Sequence, residues 1–197
     1  MKKLTTLLAI LLMVVSIPSF AQDKTEKPKE PIKPALLVID IQKAFLTRMS
    51  PDKEMAMEYI NALIDLFRKN GYPVIRVYHT SVEYGVTPGT EGFEYPETVK
   101  ILPTDAKVLK TYADGFNKTD LDKVIKATGS NTLFLCGLSA TGCVLATWIG
   151  AQNNDYKAFM VKNAIISPDS GYTKNVEQMF DAVTYDIVQL IIENAGK

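Results

Sequence analysis

The 197-residue sequence predicts an α/β domain whose mostly parallel sheet carries helices on both faces. Two observations carry that prediction. Short apolar runs such as Ala35–Ile39 and Thr132–Cys136 show no polar alternation, the pattern of strands buried on both faces. Segments with helical spacing separate such runs, and strands alternating with helices imply crossover units and a parallel sheet.

The elements follow in order. Ala35-Leu36-Leu37-Val38-Ile39 reads as the first strand, closed by Asp40. Ser50-Pro51-Asp52 suits a helix start, with a serine cap, proline at the first helical position and an acid in the first turn. Met57, Ile60, Leu63, Ile64 and Phe67 then form one apolar helix face, and Gly71 ends it. Val74–Tyr78 is a second strand. Residues 80–104 hold Gly85, Pro88, Gly89, Gly92, Pro96 and Pro103 and read as a long functional loop. Lys107-Val108-Leu109 is a short strand, and Thr119 with Asp122 has capping spacing for a helix to about Thr128. Strand 132–136, a helix from Cys143 to about Asn153, strand Ala158–Val161 and a helix over Val176–Val183 complete the order. The tail Ile187–Ile192 fits strand or helix equally. No internal repeat is present.

The folded domain is expected from Ala35 to Lys197. Ahead of it, Lys2 and Lys3, the apolar run Leu7–Val15, the breaker Pro18 and small residues Ser19 and Ala21 have the form of a secretory signal cut after Ala21. The apolar run is nine residues, whereas a spanning helix needs about 20, so this is an address and not an anchor. No cysteine lies near the cut, which leaves no bacterial lipid anchor there. Residues 22–34 carry three prolines and seven charges with Ile32 as their one large apolar side chain, the composition of a disordered linker. The expected location is therefore periplasmic or secreted.

Charge and composition narrow the chemistry. The chain has 22 basic and 22 acidic residues, without the clustered cations that nucleic-acid binding needs. Two cysteines are too few for a disulfide scaffold or a Cys-rich zinc site, and a single histidine excludes His-x-x-x-His metal sites. In a parallel sheet the reactive groups gather at the carboxyl ends of the strands. The residues there are Asp40, His79, Lys110 and the turn Gly137–Cys143. Cys143 stands where that turn enters a helix, a place that favours a thiolate and offers N–H groups to an oxyanion. Asp40 and His79 are both candidates for its base. Lys110 suits a partner for an acid and a thiolate.

Four stretches in order resemble one family. They are Leu37-Val38-Ile39-Asp40-Ile41-Gln42-Lys43-Ala44-Phe45, Pro88-Gly89-Thr90-Glu91-Gly92, Lys110 through Phe116-Asn117-Lys118-Thr119-Asp120-Leu121, and Cys136-Gly137-Leu138-Ser139-Ala140-Thr141-Gly142-Cys143-Val144. Together they resemble the isochorismatase-like cysteine hydrolases, which include nicotinamidases and N-carbamoylsarcosine amidohydrolase. The resemblance implies a Rossmann-like three-layer α/β/α fold with a six-stranded, mainly parallel sheet. It implies Asp40 as base, Lys110 as its partner and stabiliser of the thiolate, and Cys143 as nucleophile forming a thioester-type intermediate. It also implies a non-proline cis peptide between Leu138 and Ser139, with the Ser139 and Cys143 N–H groups forming the oxyanion hole. Phe45 and Phe116 match positions that wall the substrate pocket, with His79 beside them, while Trp148 would pack or meet a partner subunit.

The departures carry information too. Nicotinamidases of this family hold a metal through a histidine-rich triplet that this chain lacks, so neither metal nor other cofactor is expected. Isochorismatases proper lack the cysteine and cleave an enol ether, whereas Cys143 favours a C–N bond of a small amide or ureido-type substrate. Members of the family commonly self-associate, which makes a homo-oligomer an open expectation. Two other readings compete: a catalytically silent small-molecule-binding or scaffold protein of the same fold, and a thiol redox protein. The Cys136/Cys143 spacing fits the last poorly, because redox pairs favour Cys-x-x-Cys. A Cys136–Cys143 disulfide would silence the nucleophile.

Overall fold

The computed structural model describes residues 30–195. The signal and most of the linker expected in residues 1–34 lie outside them. The chain divides after Glu30, and the architecture below is that of the unit from Pro31. Five strands, β1 (Pro34–Ile39), β2 (Val74–His79), β3 (Ala106–Lys110), β4 (Thr132–Leu138) and β5 (Lys157–Ile166), form one sheet in the order β3-β2-β1-β4-β5, all pairs parallel. Six helices accompany them: α1 (Lys43–Leu46), α2 (Lys53–Lys69), α3 (Leu121–Thr128), α4 (Leu145–Asn153), α5 (Ser170–Met179) and α6 (Tyr185–Asn194).

The unalternated apolar runs are explained by two cores, one on each face. Leu36 and Val38 of β1 face the core built with Ile60, Leu63, Ile64 and Phe67 of α2 and Val188 and Ile192 of α6. Ala35, Leu37 and Ile39 face the core built with Leu121 and Ile125 of α3 and Ala151 of α4. The strand period of two sends successive side chains to opposite faces, so both must be apolar when helices cover both.

Four expectations need correction. The sheet has five strands among the described residues, where six were expected. The sixth position is reduced to one parallel bridge between Val161 and Val183, in which Val183 N–H donates to Met160 O at 2.9 Å and Lys162 N–H to Val183 O at 2.9 Å. Around Val183 the sequence supplies too little apolar chain to continue a strand. The helix expected over Val176–Val183 is α5, which begins earlier and stops at Met179. The ambiguous tail is helix α6, settled by Val188 and Ile192 packing on the α2-side core. The helix expected to start at Ser50 begins at Lys53 without a side-chain cap: the buried Ser50 Oγ has no hydrogen-bond partner, while its N–H donates to Ser167 O at 3.1 Å.

The 80–104 loop is irregular but tied down. Val86, Phe93, Tyr95 and Val99 are buried against the α2-side core. Tyr95 stacks on Tyr78 with ring centroids 4.2 Å apart, and its hydroxyl bonds Val38 O (2.9 Å) and Val77 O (2.7 Å).

Candidate active site

The sheet order reverses direction at β1: the chain builds outward to β2 and β3, then returns to place β4 on β1's other side. The crevice outside the strand ends at such a switch point is where α/β proteins place their reactive groups. Asp40 follows β1 and Cys143 follows β4, so the two flank that crevice.

Local geometry aims each group. Asp40 leaves the strand in the left-handed region, φ 54°, a conformation aspartate tolerates better than most residues. On the opposite side of the crevice, Gly137 takes φ 119°, and a Cβ there would overlap the Ile39 carbonyl oxygen. Only glycine lets β4 run this close to the end of β1. The Leu138–Ser139 peptide is cis. A wide turn over Ala140–Val144, kinked at Gly142, then carries Cys143 ahead of α4.

Lys110 ends β3 directly beside His79 in the parallel ladder, and its stem reaches past β2 to Asp40. Its Nζ lies 2.7 Å from Asp40 Oδ2, with both side chains at most 1% exposed. It also lies 3.0 Å from His79 Nδ1 and donates to Tyr112 O at 3.3 Å. The second carboxylate oxygen, Asp40 Oδ1, has no hydrogen-bond partner although it is buried. Asp40, His79 and Cys143 offer atoms that all lie within 4.8 Å of one another. The thiol therefore lies beside the carboxylate, close enough for the two groups to interact.

Burial raises the Asp40 carboxyl above the usual carboxylate range, outweighing the Lys110 ammonium that pulls it down. Burial first, and the Asp40 charge second, push the Cys143 thiol up to about 12, against the opposing pull of Lys110. This reverses the sign expected from a helix start: the resting group is a thiol, and its proton has a carboxylate beside it. Burial and Lys110 lower the His79 imidazole, with Asp40 acting in the other direction. Asp40, His79 and Cys143 are donors that suit a soft cation. The Lys110 ammonium already occupies the position between two of them, so the set is a poor fit for a resident metal.

Phe45 joins this cluster, its ring edge-on to the His79 imidazole at 5.8 Å between centroids. Phe116 stacks on Tyr156, just ahead of β5, at 5.8 Å and packs on the α3-side core, as Cys143 does. Trp148 is also packed, donating to Ala158 O at 3.0 Å and lying edge-on to Phe180. Both cysteines are free. Cys136 belongs to the α2-side core and Cys143 packs on the other, so the sheet itself stands between the thiols.

Two contributors were missed as site residues. Gln42 is buried and clamps the His79 backbone, its Oε1 accepting from His79 N–H (2.8 Å) and its Nε2 donating to His79 O (3.0 Å). Ser167 holds the nucleophile turn, with its Oγ 3.2 Å from Ser139 Oγ and 3.4 Å from Thr141 N. The signal for Ser167 was available: it stands just past the end of an apolar strand, as Asp40 does.

A doubly wound parallel sheet with a thiol, a carboxylate and an ammonium at its switch point defines a class of α/β protein that works from the strand ends. The chain belongs to the isochorismatase family, whose isochorismatase domain matches residues 34–187. It is 28% identical over 162 residues to the isochorismatase family protein YrdC of Bacillus subtilis (strain 168), covering 80% of this chain and 86% of that protein. It is 25% identical over 156 residues to maleamate amidohydrolase of Pseudomonas putida, covering 68% and 72%. Among solved structures, N-carbamoylsarcosine amidase from Thermoplasma acidophilum superposes with a TM-score of 0.67 at 26% identity, covering 78% of this chain and 95% of that one. The family thus includes hydrolases, among them these two amidases.

Proposed function

We propose that the chain is an exported cysteine hydrolase that cleaves a C–N bond of a small amide or ureido-type compound. One observation carries the reading: the Cys143 sulfur lies within 4.8 Å of an oxygen of the buried Asp40 carboxylate, which Lys110 holds through Oδ2 while Oδ1 has no hydrogen-bond partner. As Sγ attacks the substrate carbonyl, its proton passes to Asp40 Oδ1. The Ser139 and Cys143 N–H groups hold the oxyanion. Asp40 then gives the proton to the leaving nitrogen, and the C–N bond breaks to leave a thioester on Cys143. Asp40 next takes a proton from water, whose oxygen attacks the thioester carbonyl. The acid leaves, and the proton returns to the thiolate. Lys110 keeps Asp40 charged between these transfers and offsets the negative charge shared by carboxylate and thiolate. The amidases among the relatives support a nitrogen leaving group, and maleamate and N-carbamoylsarcosine head the substrate panel.

The test follows ammonia release across primary amides, carbamoyl and ureido compounds. The native chain releases ammonia from at least one, and Cys143→Ala from none. Silence of the native chain across the panel would overturn the hydrolase and favour a silent binding protein of the same fold. Export is tested separately: protein recovered from the producing cell's envelope has the intact mass of a chain starting at Gln22.

A further inference from the structure

The Lys110 ammonium points protons at Asp40 Oδ2 (2.7 Å), His79 Nδ1 (3.0 Å) and Tyr112 O (3.3 Å), and also interacts with the Cys143 sulfur. An ammonium donates and never accepts. His79 Nδ1 must therefore accept, and in a neutral imidazole the proton then sits on Nε2. The rest of the residue is equally constrained. Gln42 clamps its backbone at both N–H and C=O, and Phe45 packs edge-on against its ring. The imidazole is half-buried, and one of its nitrogens lies within 4.8 Å of the Cys143 sulfur and of an Asp40 oxygen. A substrate whose scissile carbonyl is on Sγ therefore sits beside the ring, and Nε2 is the ring nitrogen that Lys110 leaves open.

Resting on the hydrolase reading above, we propose that His79 is locked as its Nε2–H tautomer and donates that N–H to a second carbonyl or carboxylate oxygen of the substrate seated on Cys143. The substrate class is then narrower than amides in general. It is an amide or ureide with an acceptor oxygen close to the scissile carbonyl. Lys110 and Gln42 are positioning residues in this arrangement, and His79 is the group that touches substrate.

The chain contains one histidine, so untagged protein labelled with nitrogen-15 histidine shows a single imidazole. Proton–nitrogen correlation spectra of the resting full chain at neutral pH should show a protonated Nε2 and a bare Nδ1. A protonated Nδ1, alone or in an imidazolium, would overturn the proposal whatever the activity. Cys143 is then alkylated, with the site confirmed by mass, using either iodoacetamide or iodoethane. The carboxamide places a carbonyl oxygen on the sulfur, and the ethyl group places none. The Nε2–H resonance should move downfield with the carboxamide and stay near its resting position with the ethyl group. Equal positions in the two adducts would sink the substrate contact. Neither reading depends on ammonia release, so failure of the hydrolase assignment shows separately.

Discussion

At the scale of the residue, the site stores its proton on sulfur and its charge on oxygen. The Asp40 charge is one of the causes that hold the Cys143 thiol up near 12, so removing it should lower the thiol pKa. Asp40→Asn is therefore expected to alkylate faster with iodoacetamide than the native chain at mildly alkaline pH, while releasing no ammonia. A slower reaction in that variant would contradict the electrostatic arrangement. Lys110→Met acts oppositely on the thiol and leaves the Asp40 carboxylate buried without its cation. Breaking a buried pair from one side costs about 3–5 kcal/mol, which urea unfolding of this variant should show. The three catalytic candidates were legible because Asp40 and Lys110 close strands and Cys143 stands in the turn that leads from β4 into a helix. Their charge states were not, since burial depends on what the rest of the chain packs around them.

At the scale of the element, the close approach of β4 to β1 decides whether Cys143 meets Asp40. Gly137 carries that approach. Gly137→Ala combines a left-handed φ, costing ~1–3 kcal/mol, with overlap on backbone, costing ~1–3 kcal/mol more. A loss of at least about 2 kcal/mol in unfolding free energy is expected, and a melting temperature equal to the native chain's would refute the requirement. The strands and α2 were readable from periodicity because buried apolar faces leave a periodic record. The start of α2 was misplaced because Ser50 is held against the end of β5 with its Oγ buried and not capping the helix, a long-range placement that local capping rules do not contain. The stacking of Phe116 was out of reach on the same ground. Its partner Tyr156 lies forty residues further along the chain, and motif spacing says nothing of where a ring will point.

At the scale of the whole molecule, the site's ionisation is linked to folding. His79 is held neutral below the ordinary 6.5 of histidine, so in that interval the unfolded chain binds a proton that the folded chain refuses. This contribution is fully present above 6.5 and is lost as pH falls through the lowered folded value. Asp40 has the opposite slope. Its folded value is raised above 3.8, so stability falls as pH rises from there through the raised value. Urea midpoints measured across pH should fall below about 6.5 in the native chain, and less steeply in His79→Gln. Equal slopes in the two proteins would remove His79 from the linkage.

The sequence by itself determined the parallel α/β class and the order of its strands, because buried strands are local, periodic patterns, and it singled out Asp40, Lys110 and Cys143 as the candidate reactive groups. Only the tertiary structure decided that five strands pair fully with a sixth cut to one bridge, that Gln42 and Ser167 brace the site, that Phe116 stacks on Tyr156, and that burial pushes the Cys143 thiol up. Each of these depends on groups far apart in the chain coming within hydrogen-bonding or van der Waals distance, and on the water that such packing expels.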